Sequence, residues 1–471
     1  MSNLERNKYL LKNAGIFLIG NIGTKLINFL LVPLYTYALN TYEYGVVDLV
    51  GTLGFLLGPI LMLNIHEGVL RFCIDKDADT DAIMSIGYIA LGSAMLLGLL
   101  VLPICNRIDV LQNYSIYIYT YIVTYGFKLM SDCYLRGTER LALYSTSNII
   151  YTLAIATLSI VFLTQYHLGI KGYLLAYILS NGISALFNFI TGKMYLVKFN
   201  IHVDHQIVSP ILKYSLVLIP NTFMWWIVNS SDRIMISYML GSAINGIYAV
   251  SYKIPSMLQT LSQMFIQAWS YSAINEAKSS DKDKYNSDIY NFLVVIVTLL
   301  GGIAIIIIKP FMHIYVNEAY QEAWLYSPIL IVGFAFLALA SFLGTQYTVY
   351  KDSKGFVVSS SIAAILNIVL NFIFIPVIGV LGAAIATALG YIAVFVYRSI
   401  DTKKYINIDV FSFENIRLYS CLFIICATSY IEKYSHMLFG IEGMILLWIC
   451  KKELIGFMVG AKQLFLNKLR R

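Results

Sequence analysis

The chain has 471 residues, 59% of them hydrophobic and only 13% charged. A soluble domain carries about 25% charged residues, so the composition excludes a soluble enzyme and indicates an integral membrane protein. The formal net charge of +7 sits between apolar runs rather than on one face. It reads as membrane topology and not as a nucleic-acid partner.

A hydrocarbon core of about 30 Å takes roughly 20 apolar residues per helix. By that rule spans fall near 13–37, 43–65, 83–105, 113–135, 145–165 and 170–192, and a polar break follows at 193–209. A second set lies near 211–230, 246–272, 289–309, 325–348, 357–376 and 380–398, with two weaker runs at 415–432 and 437–458. The expected fold is an all-α integral membrane protein of 14 transmembrane helices. Twelve is the alternative, because the last pair is short and contains Glu442. No cleavable signal peptide is visible, since residues 1–12 are polar and basic and the first apolar run is full length.

Charge placement supports an even span count. Of 33 Lys and Arg residues, Arg107, Lys171, Arg233, Lys309 and Lys433 fall on one side and Lys25, Lys128, Lys213 and Lys253 lie within spans. The remaining 24 fall on the other side, the positive-inside pattern for both termini in the cytoplasm. The six cysteines and six histidines show no CxxC, HExxH or paired-ligand spacing, and no P-loop lysine motif occurs. We expect neither metal nor nucleotide cofactor.

The two sets of six spans resemble each other. Leu11-Lys12 and Leu212-Lys213, Asn28 and Asn229, and Gly45 and Gly246 keep one offset of 201 residues, and residues 169–177 parallel 379–387 at an offset of 210. This register implies duplication. Six spans per half is even, so the halves enter the membrane in the same direction and a site is expected between them. The expected domains are an N-terminal six-helix lobe (8–198), a C-terminal six-helix lobe (208–400) and a closing helix pair with a basic tail (413–471).

Polar residues inside spans are the candidate site. Tyr252, Ser256, Gln259, Gln263, Gln267 and Ser270 recur on one face of a helix drawn over 246–272. A glutamine facing lipid leaves amide groups without partners, so the stripe faces either a polar helix seam or a water-filled passage. The passage is our expectation, and Pro255 inside the helix points the same way. Lys25 lies about 18 Å into the first span, with Asn21 and Asn28 on its face. Lys25 is expected to meet a transient anion, with a structural carboxylate partner as the alternative. Lys128, Asp132 and Arg136 stand four apart on the fourth span, as an internally neutralised face or a ligand site. His66, Glu67 and Arg71 end the second span as an interfacial cluster with possible substrate contact, and Asn367 and Asn371 read as interhelical glue. Of 36 tyrosines, Tyr117, Tyr119 and Tyr121 fit an interfacial belt, whereas Tyr252 could stack on sugar rings.

The residues DRIMISYMLGSAINGIYAVSYKI (232–254), LNTYEYG (39–45), GVLRF (68–72) and GVLGAAIATALG (379–390) resemble those of Wzx-type O-antigen flippases. These belong to the multidrug/oligosaccharidyl-lipid/polysaccharide exporter superfamily, MATE-like in fold. The resemblance covers about residues 8–400. It implies two pseudo-symmetric six-helix lobes around a central cavity, and translocation of an undecaprenyl-pyrophosphate-linked oligosaccharide for O-antigen, capsule or exopolysaccharide assembly. It also implies a non-enzymatic protein of the bacterial inner membrane, whose partners could include a polysaccharide polymerase and a chain-length regulator. Beside that function stand a lipid II-type flippase, a multidrug exporter and a non-transporting membrane subunit of polysaccharide synthesis. A lysine at the midplane suits a pyrophosphate better than the cationic drug of a multidrug exporter. The short outside loops, of about fifteen residues at most, count against a polymerase.

Overall fold

The computed structural model of the chain describes residues 26–75, 77–276, 281–350 and 352–431, with Gly23, Ser279, Gly440, residues 443–446 and Lys451. Among these residues there are helices and no strand. The helices are α1 (Leu26–Ala38), α2 (Thr41–Leu61), α3 (Ile65–Cys73), α4 (Thr80–Gly98), α5 (Val101–Cys105), α6 (Ser115–Gly137), α7 (Leu141–Ile160) and α8 (Gly169–Thr191). They continue as α9 (His205–Met239), α10 (Ser242–Ser251), α11 (Lys253–Glu276), α12 (Lys282–Tyr315), α13 (Ser327–Val349), α14 (Ser353–Ile378), α15 (Val380–Asp401) and α16 (Phe413–Thr428). Twelve of the fourteen expected spans therefore coincide with described helix, the first, 13–37, is described as helix from Leu26 onward, and among the described residues nine helices are long and apolar enough to cross a membrane. The last span, 437–458, lies mostly outside the described residues.

Three spans differ from expectation in ways that matter for the site. The second is broken at Leu63 and Asn64, which take left-handed φ of 50° and 55°, and α3 sets off from there. The eighth is two helices, parting at Tyr252. Pro255 consequently stands in the first turn of α11, where an amide has no intrahelical partner to lose, and it does not kink a helix. The seventh is α9, whose 35 residues extend about 52 Å. The apolar rule ended it near 230 because Asn229, Asp232 and Arg233 follow, but the helix continues through them since their side chains find partners.

The chain forms two compact units, Met1–Gly246 and Ile247–Arg471. In the first, α6 packs against α2, α3 and α8, with α7 on α8. Helix α2 begins with a reciprocal cap in the stretch LNTYEYG. Glu43 N donates to Asn40 Oδ1 and Asn40 N to Glu43 Oε2, each at 2.9 Å, satisfying two amides that a helix start leaves open. Helix α9 runs along α2 and α3, and polar contacts tie them at three levels. Asn64 Nδ2 donates to Thr222 Oγ1 (3.0 Å), Trp226 Nε1 to Thr52 O (3.0 Å), and Arg233 pairs with Asp48. These ties explain why the compact unit extends past the polar break into the second sequence repeat.

In the second unit α13 is the centre, packed against α11, α12 and α15. A helix apolar on every side belongs in a core, and 89% of its most apolar window is buried. Helix α14 packs on α15, and α16 on α12. Gly379, at φ +62°, turns the chain from α14 directly into α15, a backbone state that L side chains avoid.

Candidate functional site

The starts of α2 and α10 meet at Gly45 and Gly246. A Cβ on Gly45 would overlap the Ser242 carbonyl, and one on Gly246 would overlap the Thr41 carbonyl. The contact is reciprocal at the offset of 201 found in the sequence: 41 meets 246, and 242 meets 45. Beside it, Arg233 Nη1 reaches Asp48 Oδ1 at 3.0 Å, the side chains being 20% and 9% exposed. Asn245 Nδ2 donates to Gly45 O (3.2 Å) and to Asp48 Oδ2 (3.5 Å). Asp232, fully buried, accepts from Arg233 N at 2.9 Å. Position 48 corresponds by the offset to Ala249, and 233 to Val32. The ion pair is thus one-sided on an otherwise symmetric crossing. The sequence places Arg233 in an outside loop, and the DRIMISY motif was its signal.

Lys128 and Asp132 are the second intramembrane pair, at 2.5 Å and each 11% exposed. Lys128 also donates to Asn148 Oδ1 (3.2 Å) and lies over the Tyr151 ring, while Asn188 Nδ2 donates to Asp132 Oδ1 (2.8 Å) and Ser131 Oγ (3.0 Å). The network ties α6 to α7 and α8, with the Asp132 carboxylate paired to Lys128 on one helix face. Arg136 is outside it, over the Tyr144 ring at 5.7 Å. Arg71 pairs with Asp75 at 2.9 Å on the exposed surface, and His66 Nε2 lies 3.7 Å from Glu67. Arg71 and Arg136 are therefore not brought together with Lys128 at one centre.

In the second unit the glutamine stripe lies about a quarter-turn from the buried face of α11, which is formed by Leu258, Ser262, Ile266 and Trp269. Gln263 Nε2 donates to Ser341 Oγ on α13 (3.3 Å), so this residue belongs to a helix seam. Gln259 is half-buried and Gln267 exposed. Tyr252 departs from the expectation of a sugar-stacking ring on this stripe. It is 3% exposed, edge-on to Phe334 and within 3.5 Å of Thr387 Oγ1, because the break between α10 and α11 turns it inward. Asn371 Nδ2 donates to Asn367 Oδ1 and Asn367 Nδ2 to Thr387 Oγ1, joining α14 to α15.

Asn21 and Lys25 lie outside the described residues. Asn28 is half-buried, and its Oδ1 has no hydrogen-bond partner among the described residues. Sequence reasoning missed Arg398 of α15. This guanidinium is 2% exposed, donating from Nε to Ser359 Oγ (3.0 Å) and from Nη1 to Ala340 O (2.9 Å), in space that Gly344 leaves open. It also missed the order among the tyrosines. Tyr35, Tyr173, Tyr177, Tyr121 and Tyr125 form a continuous ladder of rings with centroids 4.7 to 6.3 Å apart. Tyr121 is thus turned into the unit, against Gly54, and not placed in an interfacial belt. Among the described residues no three His, Cys, Asp or Glu side chains are grouped to hold a metal ion.

The fold is similar to that of lipid II flippase MurJ in an inward closed conformation, with TM-score 0.67 and 14% identity over 95% of this chain and 100% of that one. An inward-facing multidrug resistance MATE family transporter of the MOP superfamily matches with TM-score 0.66 and 12% identity, covering 83% and 98%. A MOP superfamily transporter from Pyrococcus furiosus matches with TM-score 0.53 and 13% identity, covering 88% and 95%. No curated protein sequence matches the chain. The model of the family described as "Polysaccharide biosynthesis protein" matches residues 10–271, more than half of the chain. With the multi-pass helical fold of the MOP transporters around those residues, and in agreement with the Wzx-type resemblance, the chain belongs to the polysaccharide biosynthesis protein family.

Proposed function

We propose that the protein flips an undecaprenyl-pyrophosphate-linked oligosaccharide from the cytoplasmic to the outer leaflet of the bacterial inner membrane, for O-antigen, capsule or exopolysaccharide assembly. The observation that carries this reading is the joining of a polysaccharide-biosynthesis sequence to a fold shared along nearly its whole length with a lipid II flippase. The intramembrane charges support it. Asp48 and Asp132 are each taken up by a cation and an asparagine amide. Neither offers an open carboxylate to a cationic drug, whose desolvated charge needs one. Lys25 is the cation we assign to the pyrophosphate, as a point charge meeting a phosphate. Both termini are cytoplasmic in this reading, and the lobes 8–198 and 208–400 are its functional halves. A polymerase and a chain-length regulator would receive the flipped unit.

The test is reconstitution. Proteoliposomes that contain the protein and lipid-linked repeat units extracted from the host membrane should expose those units to an external glycosidase faster than protein-free vesicles do. Equal rates would remove the flippase reading. The same vesicles pumping a lipophilic cation such as tetraphenylphosphonium would install the multidrug reading in its place.

A further inference from the structure

The connector between α8 and α9, KMYLVKFNIHVD (193–204), is not built as a loop in water. Tyr195, Leu196, Phe199 and Ile201 are each between 56% and 67% exposed. Four large apolar side chains within seven positions make a patch that a water-facing surface avoids. The segment is nevertheless held firmly. Met194 is buried, and its carbonyl accepts from the Tyr88 hydroxyl at 2.8 Å. Asn200 N donates to Ser85 Oγ at 3.1 Å, and Phe199 stands edge-on to Tyr88 at 6.3 Å. Val197 and Val203 pack on the apolar core of α3, α4 and α6. The buried residues thus fix the backbone, and the apolar patch is held out on the other side of it.

The same contacts set its depth. Asp81 is the last charged residue of α4, and the helix is apolar enough beyond it to cross a membrane. Ser85 lies one turn further, about 6 Å at 1.5 Å per residue. Tyr88 lies nearly a turn deeper, with its side chain leaning back toward the helix start. A headgroup layer is about 5–7 Å thick, so a chain that touches both residues is level with the boundary between headgroups and acyl chains. At the other end, Tyr195 meets Phe189 of α8 at 6.2 Å, inside the span Gly169–Thr191. Apolar side chains exposed at that height meet lipid. Interfacial elements have this placement, with an apolar face that enters the boundary by about 5–10 Å.

Charge narrows the kind of lipid. Lys193 and Lys198 are exposed within the patch, and no carboxylate occurs from Phe189 to Val203. The first to follow, Asp204, caps α9 by accepting from Gln206 N at 2.9 Å. Lysine stems lie along apolar surface and carry the ammonium out to the headgroups, where it is attracted to anionic lipid. We propose that residues 193–203 are an in-plane membrane element that binds anionic phospholipid. Tyr195, Leu196, Phe199 and Ile201 enter the acyl boundary, and Lys193 and Lys198 meet the lipid phosphates. The proposal goes beyond the flippase reading and is independent of the cargo. Because this segment also connects the two sequence repeats, lipid bound here holds the connector at the membrane surface.

Local photocross-linking tests it. Ile201→Cys is labelled with a benzophenone maleimide in the full-length protein. The native cysteines among the described residues are buried, and Cys450→Ser removes the sixth. The labelled protein is reconstituted in vesicles of equal phosphatidylcholine and phosphatidylglycerol, irradiated, and its labelled peptide weighed by mass spectrometry. Lipid adducts are expected, with phosphatidylglycerol favoured about threefold or more. In Lys193→Gln with Lys198→Gln, both exposed positions, thermal stability and adduct yield should hold while the ratio falls to about one. Asp77→Cys, in the charged loop before α4 and exposed, should give several-fold fewer lipid adducts. No lipid adduct at 201, or adducts only to a second copy or to another segment of the chain, would overturn the lipid partner. So would equal lipid yields at 77 and 201. A ratio near one in the parent, or one unchanged by the double substitution, would overturn the recognition of anionic lipid.

Discussion

The Asp48–Arg233 pair gives a sharp test of the α2–α9–α10 crossing. Exposed ion pairs contribute about 0–1 kcal/mol, while removal of one partner of a fully buried pair costs about 3–5 kcal/mol because the other charge is stranded. With Asp48 9% and Arg233 20% exposed, Asp48→Ala should lie between these, at about 2–3 kcal/mol. It removes the carboxylate from the guanidinium and takes one acceptor from Asn245. Asp48→Asn keeps the shape but not the charge, and should cost nearly as much. Arg233→Ala in the Asp48→Ala background should cost much less than it does alone, leaving a coupling of at least about 1 kcal/mol, within the range seen for contacting residues. Reversible unfolding in mixed micelles, followed by loss of far-ultraviolet helicity, measures all four proteins. Single costs below about 0.5 kcal/mol, or strict additivity in the cycle, would show that the pair does not form.

Other changes have equally definite outcomes. Asp132→Asn strands Lys128 among α6, α7 and α8, and should cost about 3 kcal/mol, whereas Lys128→Met with Asp132→Leu should recover most of that loss; unfolding in mixed micelles decides it. Gly246→Val drives a side chain into the Thr41 carbonyl and should remove most monodisperse protein in fluorescence-detected size-exclusion chromatography, while Gly182→Val, where a Cβ meets nothing within 4 Å, should not. Asp352, the cap of α14, is held down to about 2 from an ordinary 3.8 by the Gly355 N–H, the Tyr405 hydroxyl and Lys404. A carboxylate with a lowered folded value stabilises fully above its unfolded value and loses that contribution as pH falls toward the folded one. Thermal scans should therefore show a loss below about pH 4 that is absent in Asp352→Asn.

Span existence was legible because it depends on length and apolar content, which single residues do not upset. Span ends and breaks were not, because they depend on partners. Helix α9 passes the run Asn229–Arg233 since Asp48 lies opposite Arg233, and no local rule sees a residue 185 positions away. The break at Tyr252 was hidden for a related reason. Ser251 is fully buried, and its carbonyl accepts from Ser327 Oγ of α13 at 3.1 Å, a satisfaction of open backbone that periodicity cannot show. Arg398 was counted only as a cytoplasmic charge. Its burial depends on Gly344, Ser359 and the Ala340 carbonyl, which come from two other helices.

The repeat at offset 201 carried more spatial information than it first offers. Two copies of a helix start related by duplication meet themselves, so Thr41 and Gly246 on one side mirror Ser242 and Gly45 on the other. A self-complementary contact of this kind places identical demands on both halves, which is why a glycine recurs at the same position in each repeat. The demand is steric and symmetric, and duplication preserves it. Charge is not so constrained. Asp48 and Arg233 have Ala249 and Val32 at the equivalent positions, so the repeats diverged where polarity, and not space, was at stake. The tyrosine ladder follows the same logic. Its positions Tyr121, Tyr173 and Tyr177 correspond, at offsets of 201 for the first and 210 for the others, to Glu322, Ala383 and Thr387. The ring ladder thus belongs to one half alone: aromatic packing, like charge, diverged between the repeats, while the close approach that requires a glycine at 45 and at 246 was kept in both.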